Sequence, residues 1–277
     1  MQTNSFISNS IIKTLVYANV FIAICAFAQV VLTYHLFSIT ANFANNSYLL
    51  FIFLSTYLQY NMQRGYMINN ENVHSGCSLW LLKHKKLLTY SIVASLISVM
   101  FLCNNLSWTS IGIMIGAEIV STLYYLQPFN LRRHGYIKPF LISSVWVISC
   151  SLVPLIENQL VTKLSIWFVA SQFCFISVLC LLFDIKDGES DYLAGVNTYV
   201  NKFGVNIAKL ICFAFVAVSV ICFLQFTNDI YFIVFAVIFN LLVIATITLT
   251  NENRDSLYFY LWIDGLLVLQ PLFYWWL

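Results

Sequence analysis

The stretch LICFAFVAVSVICFL, residues 210–224, decides the fold. It is apolar on every side, whether wound as a helix or stretched as a strand, and LISVMFLC at 96–103 has the same character. A membrane-barrel strand alternates apolar and polar residues over about ten positions, which neither segment does. Both therefore read as helices in lipid, where each backbone polar group must be satisfied within its own segment. The rest of the chain agrees. Of 277 residues 61% are hydrophobic and 9% charged, whereas a soluble domain is about a quarter charged. Such a composition excludes a water-soluble globule and a disordered chain. A formal net charge of +2 gives no footing to a nucleic-acid partner. The expectation is an all-α, polytopic membrane protein forming a single transmembrane helical domain over residues 1–277.

A helix needs about 20 mainly apolar residues to cross a hydrocarbon core of roughly 30 Å. Nine runs qualify: 11–35, 47–61, 87–103, 108–126, 137–156, 164–183, 207–226, 230–250 and 256–276. With the amino terminus cytoplasmic and the carboxyl terminus outside, the inward side holds Lys13, Arg64, Lys83, Lys85, Lys86, Arg132, Arg133, Lys138, Lys186, Lys202, Lys209 and Arg254. Lys163 alone lies outside. This is the asymmetry of the positive-inside rule, and losing one helix would destroy it. The eight cysteines show no CxxC or Cys/His spacing and read as small packing residues. His35, His74, His84 and His134 are isolated. Gly112 and Gly116 form a GxxxG suited to close helix packing, and FYWW at 273–276 reads as an interfacial anchor.

Acidic residues are scarce, yet Asp184, Asp187, Glu189 and Asp191 crowd into eight positions at the end of the sixth run. On a helix, Asp184, Asp187 and Asp191 fall at roughly 0°, 300° and 340°, so their carboxylates share one face. Like charges so close call for a cation, and hard oxygens suit Mg²⁺, which retains waters and bridges to phosphate. A metal–diphosphate site is one reading; a solvated acidic turn is the other.

Continued to Gly204, the segment reads DIKDGESDYLAGVNTYVNKFG, with Gly195 and Gly204 permitting turns and Lys202 adding a cation. It resembles the second aspartate-rich motif of the UbiA superfamily of intramembrane prenyltransferases, a D-x-x-D-x-x-x-D followed by Gly and Thr. YYLQPFNLRRHGYIKPF at 124–140 is loosely similar to that family's aromatic-x-x-Pro segment through Tyr124, Tyr125 and Pro128, with Arg132, Arg133 and Lys138 supplying charge. The family's first aspartate-rich motif is degenerate here. STYLQYNMQRGYMINNENVHSG at 55–76 has Asn61 and Arg64 but no aspartate. Arg64 either contacts a diphosphate directly, replacing charge compensation lost with the missing acids, or pairs with the aspartates of the second motif.

The resemblance implies nine helices, a bacterial inner-membrane location and a cytoplasmic-side site. It implies transfer of an isoprenoid from a prenyl diphosphate to a lipid-soluble acceptor. Asp184, Asp187 and Asp191 would be catalytic and hold Mg²⁺; Arg64, Arg132, Arg133 and Lys202 would bind the diphosphate; Asn61, Tyr124 and Tyr125 would line the substrate pocket. Two alternatives stand beside it: a catalytically degenerate relative that binds an isoprenoid or another lipid or serves as a membrane partner, and a small-molecule transporter. Glu118 and Asp264, acids within apolar runs, read first as interhelical hydrogen-bonding groups.

Overall fold

The computed structural model describes residues 11–40, 42–71 and 76–275, and among them no strand occurs. In chain order the helices are α1 (Ile11–Tyr17), α2 (Val20–Leu36), α3 (Phe43–Glu71), α4 (Gly76–Lys83), α5 (Lys85–Cys103), α6 (Trp108–Tyr125), α7 (Lys138–Glu157), α8 (Lys163–Leu193), α9 (Tyr199–Phe203), α10 (Val205–Phe226), α11 (Ile230–Leu249) and α12 (Leu266–Trp275). A π-turn interrupts α7 at Ile148–Leu152, and a π-helical segment, Tyr258–Ile263, precedes α12. The nine apolar runs are largely helical, the first interrupted at Ala18–Asn19 and the last at Asp264–Gly265; only Trp276, at the end of the last, lies outside the described residues. Among the described residues α5, α7, α8, α10 and α11 are each long and apolar enough to cross a membrane, and α1 with α2 makes a sixth crossing if the bent pair counts as one. This is an integral membrane protein. The other three runs differ for physical reasons: α3 carries Asn, Gln and Arg along its length, α6 contains Glu118, and the last run is broken by the π-helical segment.

Packing separates two compact units, one comprising the described parts of Met1–Phe27 and Ala41–Leu106, the other Ala28–Thr40 and Ser107–Leu277. In the first, the run expected to be one helix breaks at Asn19, which takes a left-handed φ of 60°, and α1 and α2 meet at a 71° bend. Asn61 of α3 repairs the break, accepting from Asn19 Nδ2 at 3.0 Å and donating to the Ala18 carbonyl at 3.1 Å. A polar group left unpaired in such a setting would be costly, which accounts for an asparagine at the break and another facing it. α3 packs on α5, where the Tyr57 and Ser91 hydroxyls lie 2.6 Å apart. The outer side of α5 presents Tyr90, Ile97, Met100 and Phe101.

The second unit is organised on α8, which packs against both α7 and α10. A capping box at Thr162 and Ser165 starts α8, and its 31 residues extend about 46 Å, longer than a hydrocarbon core of roughly 30 Å. About 20 residues counted from Lys163 end at Phe183, so Asp184–Asp191 occupy the overhanging turns. Ser171 of α8 and Ser219 of α10 each donate to the other's carbonyl, at 2.9 and 3.0 Å, which lets the two helices approach closely.

Two prolines inside helices are repaired from α2. Pro154 has no N–H for the Cys150 carbonyl one turn back, and the Thr33 hydroxyl donates to it at 2.9 Å. Pro271 leaves the Leu267 carbonyl in the same state, and Gln29 Nε2 donates to it at 2.8 Å while also reaching Gln270 Oε1 at 3.1 Å. Lipid offers no substitute donor, so these side chains are what make proline tolerable there. Gly112 and Gly116 of α6 have nothing within 4 Å of where a Cβ would stand, so the close packing expected of them is not made among the described residues.

Candidate functional site

Asp184, Asp187 and Asp191 lie on consecutive turns of α8, as their spacing predicts, but they do not face a common partner. Asp184 and Asp191 are fully buried and converge on Lys138, the first residue of α7: its Nζ is 2.8 Å from Asp184 Oδ1 and 2.7 Å from Asp191 Oδ2. Lys138 is itself only 5% exposed, and a lysine is almost never so buried unless paired. The two aspartates are seven positions apart, about 10.5 Å along a helix, so their side chains lean toward one another around a single ammonium. Arg132 lies farther off, Nη2 3.8 Å from Asp191 Oδ1. Asp187 turns to Lys186, at 3.2 Å, whose Nζ also donates to Tyr260 Oη at 3.0 Å and sits 4.5 Å from that ring's centroid.

The chain on either side of α8 and α7 is folded to hold this arrangement. Gly195, at φ 70°, turns the chain after α8, and Val196 N donates to the Asp191 carbonyl at 2.8 Å. Thr198 caps α9, which Gly204 ends at φ 84°. Gly135, in the loop before α7, lies so close to this turn that a Cβ there would be 2.4 Å from the Asn197 carbonyl oxygen. Tyr136 packs edge-on against Tyr199 with centroids 5.1 Å apart. The basic loop and the turn after the acidic helix are thus locked together, bringing Lys138 to the aspartates.

The other sequence-predicted residues divide. The Tyr124 hydroxyl interacts electrostatically with Lys138, Arg132 and Asp184, which places it at the cluster. Tyr125 is buried, and Arg133 is exposed on the 3₁₀ turn Leu131–Arg133. Lys202 lies 5.5 Å from the Tyr136 ring centroid and 5.6 Å from that of Phe203, so it meets aromatic faces. Asn61 and Arg64 belong to the other unit, where Arg64 donates to the Tyr17 carbonyl at 3.3 Å and to Cys77 Sγ at 2.9 Å. Of the two acids in apolar runs, Glu118 is exposed on α6, while Asp264 interacts electrostatically with Cys180, one turn before Asp184. The residue that sequence reasoning passed over is Lys138, counted only as loop charge; its position on the threshold of an apolar run was the available signal.

These residues do not fit the Mg²⁺ expected of them. Mg²⁺ demands near-octahedral oxygen coordination; here an ammonium stands against one oxygen of each buried aspartate and Asp187 pairs with Lys186, leaving Asp184 Oδ2 and Asp191 Oδ1 as buried oxygens without a hydrogen-bond partner among the described residues, beside a resident cation instead of a third carboxylate. Among the described residues no group of three or more His, Cys, Asp or Glu is placed to hold a metal ion. Side-chain cations stand against these acids instead: Lys138 and Arg132 face Asp184 and Asp191, and Lys186 faces Asp187.

No protein-family model matches the chain, and no curated protein sequence matches it. Its fold is that of a UbiA homolog from Archaeoglobus fulgidus, determined bound to GPP and Mg²⁺. The two agree with a TM-score of 0.70 over 94% of this chain and 97% of that one, at 16% identity. The fold is therefore UbiA-like, as the motifs at 124–140 and 184–204 imply.

Proposed function

We propose that the protein binds a prenyl diphosphate at the carboxyl-terminal end of α8 and transfers its isoprenoid to a lipid-soluble acceptor, in a bundle of nine membrane crossings. The observation that carries this reading is the buried cluster of Asp184, Asp191 and Lys138, with the part-exposed Arg132 beside it, at the membrane-edge end of a UbiA-like fold. Buried charges are costly wherever they are desolvated, and clusters of them concentrate at functional sites. GPP, the ligand of the solved homolog, is a prenyl diphosphate.

The chemistry assigned to this chain's residues is electrostatic. Arg132 and Arg133 meet the diphosphate, whose charge grows as the allylic C–O bond breaks and its electron pair leaves with the oxygen. Guanidinium forks suit phosphate oxygens. The Tyr124 ring lies beside the cationic carbon, and surrounding apolar helices exclude water until an acceptor's electron pair forms the new bond and its proton departs.

Binding without transfer is the second reading, favoured by Lys138 standing between both buried aspartates. Proteoliposomes given labelled GPP or longer prenyl diphosphates, with membrane lipid extract as acceptor, separate the two. Diphosphate release with a labelled lipid product, lost in Arg132→Gln/Arg133→Gln, is the expected result. Label retained without release selects the binding role, and neither outcome with any chain length removes both.

A further inference from the structure

Resting on that reading of the site, we propose that Lys138 is a built-in counter-ion that takes the place of a divalent cation, so that the site meets its diphosphate ligand without a bound metal. Three observations support this. First, Asp184 and Asp191, two turns apart on α8, bend toward one point, as ligands do around a shared cation, and Lys138 Nζ occupies that point at 2.8 and 2.7 Å. An ordinary surface pair joins one acid to one base and remains solvated; here both acids are fully buried and the lysine nearly so.

Second, the acid that would complete a metal site is held away. Asp187, between the other two on the helix, is fixed by Lys186 at 3.2 Å, and Lys186 is anchored in turn by the Tyr260 hydroxyl and ring. With Arg132 3.8 Å from Asp191, each of these three carboxylates has a cationic side chain within 4 Å. Third, Lys138 is the first residue of α7 and is followed by Pro139, while Gly135 locks the preceding loop against Asn197. The ammonium is thus delivered from rigid backbone and cannot extend into solvent as a lysine on a free surface does.

A lysine offers one positive charge and directional N–H donors where a divalent ion offers two charges and no directionality. The diphosphate must then be met by guanidinium groups at the rim, Arg133 and the part-exposed Arg132, which would be shared between the diphosphate and Asp191, and its binding should not change when divalent ions are removed.

The test counts Mn²⁺ retained per chain after gel filtration in detergent, by electron paramagnetic resonance, with Mn²⁺ alone and with Mn²⁺ plus GPP. It uses the full-length protein, Lys138→Gln, and Asp184→Asn/Asp191→Asn. The expected result is that the wild-type chain retains no more Mn²⁺ than the double asparagine variant in either arm. Lys138→Gln should gain Mn²⁺ affinity by about tenfold or more, since affinity follows the count of unpaired ligand charges. Mn²⁺ held by the wild type and lost in the double variant would overturn the proposal, as would a folded Lys138→Gln that gains none. The wild-type arms decide even if Lys138→Gln fails to fold. Failure of every variant to retain GPP would count against the ligand assignment, while the Mn²⁺-only arm would still report on Lys138.

Discussion

Replacing Lys138 by Met removes the charge that, among the described residues, both buried aspartates approach within hydrogen-bonding distance. Breaking a buried pair by deleting one partner costs about 3–5 kcal/mol, because the charge left behind is uncompensated. With an unfolding entropy of roughly 2.1 cal/mol/K per residue, that corresponds over this chain to a loss of about 5–9 °C in melting temperature. Removing the carboxylate charges as well should restore most of the loss, since replacing a whole buried ion pair by neutral groups is often close to neutral. The assay is thermal unfolding in detergent of the wild type, Lys138→Met, Asp184→Asn/Asp191→Asn and the triple variant, read as a mutant cycle. A single variant within about 1 kcal/mol of wild type, or a triple variant no more stable than Lys138→Met, would refute the assignment of Lys138 as the counter-charge to both acids.

Other parts of the fold make separate predictions. Asn61→Ala strips partners from Asn19 Nδ2 and the Ala18 carbonyl and should cost about 1–3 kcal/mol in the same unfolding measurement. Asn61→Asp should fare no better, since a carboxylate cannot donate to the Ala18 and Tyr57 carbonyls. Gln29→Leu leaves the Leu267 carbonyl without the donor that Pro271 cannot supply; a loss of about 1–3 kcal/mol is expected, and pairing it with Pro271→Ala should recover part of that loss. Gly135→Ala drives a Cβ into the backbone at Asn197 and should lower both stability, by about 1–3 kcal/mol, and retention of labelled GPP; unchanged retention would detach the loop contact from the site.

The acidic motif was legible because it is local. Asp184, Asp187 and Asp191 lie within eight residues of one helix, and helical geometry alone places them on successive turns of one side. The glycines that shape the turn after α8 were legible for the same reason: at Gly195 and Gly204 the chain takes the positive φ that glycine accommodates. The partners of those acids were not legible, because whether Lys138, Arg132, Arg64 or Lys202 reaches them depends on how loops and helices pack. Packing gave Lys138 to Asp184 and Asp191, aromatic rings to Lys202, and Tyr17 and Cys77 to Arg64.

Composition and charge placement were sufficient to establish lipid as the solvent and helix as the secondary structure, because a backbone in hydrocarbon has no other single-segment way to satisfy its hydrogen bonds. They gave no hint that Thr33 and Gln29, one turn apart on α2, would donate to the carbonyls exposed by Pro154 and Pro271. They also could not show that an ammonium would stand where the motif suggests a metal. A side chain's partner on another helix is set by the rotation and depth of that helix against its neighbour, and only the packed bundle decides those.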